Sequence, residues 1–433
     1  MTTRASAIFL ALAPAGVVGV GTFLVALFVA VMFHEFGHYY AARRSGMKVT
    51  EFFFGFGPRL WSKKRRSLVR GGSPEDTREV ETEFGIKALP FGGYVKITGM
   101  SAYEDIEESD REFTYAGKPF GQRAMVVAAG PMANALLAFV LLVILAMSGA
   151  LPDQERPIPK IAGLVPPPGC ERHREVNGSP ADLTEPPECS KPTPAELAGL
   201  RPGDEFVAAD GLAITTWNDV REVLSSRIGD TVVFTVVRDG SLVDIPVTVA
   251  QRPPFDGEEG PRPFIGIVVG TERVADNPAG AVLRAGKYMA WMSAGGISAI
   301  KNFFTPSYLK RYLGLLAGRS DEEANQSRFV SVVGLGQISA QAAEAGWEHL
   351  LFVIVIFNVF LGIFNILPLY PLDGGHLAVA VYEKIAGAIK GKEVRVDIRK
   401  LAPIAAGVIA LFLFLAVTSI YLDITNPISN PFR

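Results

Sequence analysis

Four stretches of this chain, residues 5–33, 124–152, 350–372 and 401–422, contain no charged side chain. Each is long enough to cross the roughly 30 Å hydrocarbon core of a bilayer as a helix. Backbone in lipid must satisfy its own N–H and C=O groups, so such a chain folds as a bundle of spanning helices. The predicted fold class is a polytopic α-helical membrane protein with about four transmembrane helices. The first stretch does not read as a cleavable signal. A single positive charge, Arg4, precedes it, and it runs into a polar cluster instead of a small-residue cleavage site.

Lysine and arginine placement orients these spans. Residues 41–70 carry Arg43, Arg44, Lys48, Arg59, Lys63, Lys64, Arg65, Arg66 and Arg70, and the loop after the third stretch carries Lys384, Lys390, Lys392, Arg395, Arg399 and Lys400. Both are expected on the cytoplasmic side. The two termini and the region between the second and third spans then lie outside. Overall charge is nearly balanced, at −2, and gives no reason to invoke nucleic acid. Two cysteines, Cys170 and Cys189, exclude a Cys-rich zinc fold. Both fall in the outer region, an oxidising setting, so a disulfide between them is expected, with two unpaired thiols as the alternative.

Between the spans the pattern changes. "EFFFGFGPRLW" (51–61) and "FGIKALPFGGYVKI" (84–97) are short, apolar, β-prone and broken by Gly and Pro. They predict membrane-associated β-hairpin segments, with the charged run between them as a solvated turn. The expected organisation has five parts. Residues 1–150 form an N-terminal membrane half, and 153–192 an outer linker or insertion. Residues 193–270 form a compact β-rich domain, and 277–345 supply amphipathic helices at the membrane surface. Residues 346–433 form the C-terminal membrane half. A fifth span within 277–317 is disfavoured because only 13 uncharged residues separate Lys287 from Lys301.

The chemistry concentrates in "FHEFGHYYAA" (33–42). Positions i and i+4 of a helix share one face, so His34 and His38 can ligate a single Zn²⁺. Glu35 stands beside them as a base for activated water. Ionisable groups at membrane depth cost about 2.5–3.5 kcal/mol each on insertion scales, which favours a functional reading over a polar helix end. Two histidines leave a catalytic zinc one protein ligand short. Asp373, in "NILPLYPLDGGH" (365–376), is the best remaining candidate. Pro368 and Pro371 break the helix there, and coordination would remove the penalty of a carboxylate at that depth. His376 is a weaker candidate, better suited to supporting a ligand. Asn134 reads as an amide pairing between helices.

"HEFGH", "GPMAN" (130–134), "ALPFGGYVK" (88–96) and "NILPLYPLDGG" together resemble the site-2 protease family of intramembrane zinc metalloproteases. The bacterial branch that carries a PDZ domain and cleaves anti-sigma factors is the most similar, and "FGFGPRLW", "SVVG" (331–334) and "YEKI" (382–385) resemble its actinobacterial members. The resemblance implies that His34, His38 and Asp373 hold one Zn²⁺, that Glu35 is the catalytic acid/base, and that Asn365 contacts substrate. It also implies a transmembrane protein substrate, an anti-sigma factor, trimmed first by a site-1-type protease. "PAELAGLRPGDEFVAADGLAITTWNDVREVL" (194–224) resembles a PDZ domain, a module that binds extended peptides by strand addition. One departure is Val333-Gly334-Leu335, where many relatives have Gly-Pro-Ile. The alternative function is a non-catalytic membrane PDZ scaffold, disfavoured by the intact set of ligand-type residues.

Overall fold

A computed structural model describes residues 14–70, 77–100, 104, 106–151, 153–164, 192–252, 262–272, 275–318, 328–392 and 394–426. Cys170 and Cys189 lie outside the described residues. The chain divides into two compact units, Met1–Met147 with Asn277–Arg433, and Ser148–Asp276.

The first unit is a helical bundle with a small sheet. Its helices are α1 (Pro14–Arg44), α2 (Phe120–Met147), α5 (Pro278–Phe303), α6 (Pro306–Leu316), α7 (Val332–Ala345), α8 (Trp347–Ile366), α9 (Asp373–Lys390) and α10 (Ala402–Thr425); α3 and α4 belong to the second unit. Among the described residues, four segments are long and apolar enough to cross a membrane: Val18–Arg44, Phe120–Met147, Trp347–Ile366 and Arg399–Thr425. Apolar side chains cannot drive association between helices already in lipid, so close backbone packing has to do it. Small residues supply it here. A Cβ on Gly37 would lie 2.3 Å from the Ala129 carbonyl oxygen, and one on Gly19 would lie 2.6 Å from that of Ser339.

The segment expected as membrane-surface helices is arranged differently. α5 runs alongside α8 in the same direction, with Tyr288 edge-on to Phe352 at 6.4 Å and Gly296 against Ile363. α7 is interior, with Gly334, Gly336, Ser339, Ala340 and Ala342 buried. Its N-terminus is held by Asp423, which is fully buried, accepts the Ser331 N–H at 2.8 Å and pairs with Arg328 at 3.0 Å. Gly334 leaves room for that carboxylate, since a Cβ would meet Asp423 Oδ2 at 2.5 Å.

The hairpin is longer than its apolar pieces and folds back on itself. β1 (Val49–Arg70) and β2 (Thr77–Ile97) are antiparallel. Residues 51–54 pair on both sides, with 93–96 along one edge and 83–86 along the other. Gly55, Gly57 and Gly92, all at φ above +80°, sit at the bends that this requires. Residues 63–70 and 77–81 of the charged run are therefore strand, with Leu68 opposite Glu79 and Arg70 opposite Thr77. Cross-strand pairs explain it: Arg59 with Glu83, and Lys64 with Glu81 at 2.8 Å.

In the second unit, one sheet runs β10 (Ile267–Glu272), β3 (Asp153–Leu164), β4 (Glu205–Ala209), β6 (Thr231–Arg238), β7 (Ser241–Thr248), with β5 (Leu212–Ala213) paired to β4. β8 (Ala250–Arg252) pairs with β9 (Arg262–Phe264). β3 carries "IAGL" (161–164) into the same sheet. Buried Phe206, Phe234, Val236 and Val247 form its core against α4 (Trp217–Ser225) and α3 (Pro194–Ala198). Both helices start with a capping box, Thr193 with Glu196 and Thr216 with Asp219. The backbone N–H groups of Thr215 and Thr216 hold the Asp219 carboxyl down to about 2, so this cap stays charged at any working pH.

Candidate active site

Three elements distant in sequence converge inside the first unit. α1 supplies His34 and His38, both buried, and α9 begins with Asp373. His34 Nε2 lies 3.0 Å from Asp373 Oδ2, His38 Nε2 lies 3.2 Å from the same oxygen, and the two Nε2 atoms are 3.1 Å apart. Glu35 lies in the field of His38 and Asp373. Segment 93–96 pairs only with 51–54 among the described residues, and it lies against α1, where a Cβ on Gly93 would meet Met32 Sδ at 3.4 Å and Val31 at 3.5 Å.

A shared apolar cluster fixes this convergence. Ala41, Ala42, Met47, Val49, Ile97, Val126 and Val127 are buried together, with Leu377 of α9 packed against them. Asp373 gets its position from the tight link 367–372. A Cβ on Gly374 would lie 2.1 Å from the Ile366 carbonyl oxygen, so only glycine lets α9 start directly beneath the end of α8.

Residues 22–402 match the sequence profile of peptidase family M50. The chain belongs to this family. It is 32% identical to the zinc metalloprotease Rip1 of Mycolicibacterium smegmatis over 426 residues, covering 95% of this chain and 98% of that protein. Identity to Rip1 of Mycobacterium tuberculosis is 30% over 431 residues, with the same coverage. A putative zinc metalloprotease of Brucella suis is 30% identical over 381 residues, covering 84% of this chain and 86% of its own length. This M50 protein is thus a membrane zinc metalloprotease of the site-2 protease family, similar to actinobacterial members.

The donor set of the M50 protein fits zinc. A tetrahedral ion with bonds of about 2.0–2.1 Å separates its ligands by about 3.3 Å, close to the observed triangle, and leaves a fourth position open. The groups behind the histidines fit as well. His38 Nδ1 donates to the Val126 carbonyl at 2.7 Å, which leaves its Nε2 lone pair for a metal. His34 Nδ1 lies 3.2 Å from the amide of Asn134, a fully buried residue whose Oδ1 has no partner as oriented. A half-turn of that amide turns Oδ1 to accept Nδ1–H, satisfying both groups and freeing His34 Nε2. Gly130 makes room for both rings: a Cβ there would lie 2.3 Å from His38 Nε2 and 2.8 Å from His34 Nε2.

Asn134 and Gly130 were therefore undervalued by the sequence reading. The signal was present in "GPMAN", where a glycine and an amide share one face of a span, four residues apart. His376 stacks edge-on against Tyr370 at 4.9 Å and is outside the three-atom group. Asn365 lies in the last turn of α8, half-buried, and its amide makes no hydrogen bond among the described residues.

Proposed function

We propose that His34, His38 and Asp373 hold one Zn²⁺ and that Glu35 is the catalytic acid/base for cutting a substrate's transmembrane segment. Bound zinc supplies Lewis-acid charge that polarises a peptide carbonyl and makes water acidic enough to yield a proton. Glu35 takes that proton and returns it to the leaving amine nitrogen. The observation that carries the reading is the triangle of His34 Nε2, His38 Nε2 and Asp373 Oδ2, all within 3.2 Å of one another, with the one-sided strand 93–96 lying against the same helix, α1. A helical substrate hides its peptide bonds, and strand addition to this edge would hold an unwound segment extended beside the acid/base. The free amide of Asn365 would pair with backbone groups released by unwinding. Asn134 would orient His34. Asn134→Ala is expected to weaken zinc affinity by about 10–100-fold, with Asn134→Asp close to wild type, in chelator competition. Equal affinity of all three proteins would remove Asn134 from the site.

The substrate class follows from the resemblance: a single-pass protein, with a pre-trimmed anti-sigma factor as the leading choice, in regulated intramembrane proteolysis. The Lys/Arg pattern supports placing the metal site near the cytoplasmic face and the second unit outside. The strand and helix arrangement of that unit supports a PDZ domain. A cleft of about 560 Å³ runs between α4 and residues 262–267, with Trp217, Arg221 and Arg262 on its walls, and could accept an extended peptide end.

The test uses reconstituted full-length protein and a single-pass substrate, with and without a large outer domain. Products cut within the span are expected from the trimmed form. Replacing 153–272 with a flexible linker is expected to release cleavage of the untrimmed form, if the unit filters by size. Loss of trimmed-substrate cleavage would instead make it a receptor. Cleavage only in soluble loops would overturn the intramembrane reading.

A further inference from the structure

A second cavity in the first unit has a different chemistry from the protease site. It measures about 460 Å³ and lies where the N-terminus of α2 meets the C-terminal half of α9. Lys118, Arg123, Lys384, Lys392 and Arg395 line it, with Glu383 as its one carboxylate among the described residues. Glu383 is already engaged: it accepts from Arg123 at 2.6 Å and from the Val396 N–H at 2.7 Å, and it pairs with Arg395 at 3.5 Å. Lys118, Lys384 and Lys392 make no ion pair among the described residues.

Two features distinguish this from a solvated basic surface. Lys118 is only 6% exposed and Arg123 only 7%, and buried cations are rare unless paired. The Lys118 ammonium stands over the Phe113 ring at 5.8 Å, and burial pushes its pKa down against the field of Glu112. Arg123 Nε is buried with no partner. Lys384 is held over the Phe120 ring at 4.5 Å, which fixes it at the cavity rim. The second feature is the start of α2 itself. Pro119 and Phe120 line the cavity, so the positive dipole end of a 28-residue helix lies beside the same space. Helix N-terminus, buried lysine and arginine together make a cavity suited to an anion.

We infer that this cavity binds a phosphate group, carried either by an anionic phospholipid headgroup at the end of the α2 span or by a small phosphorylated solute. A carboxylate matches less well, because the cations surround the cavity and a tetrahedral group with several oxygens meets more of them at once. The lining shares no residue with His34, Glu35, His38 and Asp373.

The test compares wild type with K384Q/K392Q, which changes two exposed rim residues and leaves the Arg123–Glu383–Arg395 cluster intact. Full-length protein in phosphatidylglycerol or phosphatidylcholine nanodiscs is released into native mass spectrometry, and its melting is followed with and without inorganic phosphate. Retention of one phosphatidylglycerol per chain, about tenfold less in K384Q/K392Q, assigns a lipid headgroup. A phosphate-dependent rise in melting temperature in phosphatidylcholine, lost in the variant, assigns a soluble phosphate. K63Q/R65Q, which removes two charges on the hairpin, controls for general surface charge. No binding of either probe, or an equal loss in K63Q/R65Q, overturns the proposal.

Discussion

Glu35→Gln protein is expected to bind one zinc per chain and to cleave its substrate about 10²–10⁴-fold more slowly than wild type. The expectation separates two roles that one helix combines. His34 and His38 keep their Nδ1 partners on α2, and Asp373 keeps its place at the start of α9, so the ligand triangle is undisturbed. A glutamine side chain has the same length and nearly the same shape, so it fills the same space. It has no basic carboxylate, so it neither takes a proton from water nor returns one to the leaving nitrogen. Metal analysis and cleavage rates on the same preparation check both halves. Turnover within tenfold of wild type would mean that another group is the base. Loss of zinc as well would mean that Glu35 helps to hold the ion.

The sequence made the helix-borne half of the site legible because two imidazoles and a carboxylate at i, i+1 and i+4 need no tertiary information to be grouped. Asp373 could be chosen because zinc needs a third ligand and because an acidic residue beside two prolines and two glycines marks a built turn. The groups on α2 were harder to read. Gly130 and Asn134 act on rings nearly a hundred residues away, and a small residue in a span is usually there for helix packing, as Gly37 is. The charged half of the hairpin misled for another reason. "KKRRSLVRGGSPEDTREVE" looks like solvated turn by composition, but its bases and acids face one another across two strands, and such pairs neutralise the usual cost of charge in a sheet. α7 carries no span-like length or charge pattern at all. Its burial comes from glycines and alanines matched to α1 and from a carboxylate on α10, contacts that no local window contains.

Two single substitutions on different helices are expected to remove the same metal. Asp373→Ala deletes one of the three proposed protein ligands, so its zinc affinity should fall by more than the roughly 10–100-fold that changes behind the ligands bring. Gly130→Ala deletes nothing, yet its methyl carbon would stand 2.3 Å from His38 Nε2, 2.6 Å from His38 Cε1 and 2.8 Å from His34 Nε2. Neither ring can simply step aside. His38 is tied by Nδ1 to the Val126 carbonyl, and His34 faces Asn134, both on the helix that carries the added methyl. The bulk and the tethers come from the same side, so the rings must rotate and lose the triangle. Alanine at Gly407, where a Cβ would meet nothing within 4 Å, should keep full zinc and activity and serves as the helix-propensity control. Zinc per chain and thermal melting, measured together, distinguish a lost site from a lost fold. Full zinc in Asp373→Ala with loss in His376→Ala would move the third ligand to His376. Full zinc and activity in Gly130→Ala would show that the α1–α2 contact yields, and that the rings, not the helix spacing, set the geometry of the site.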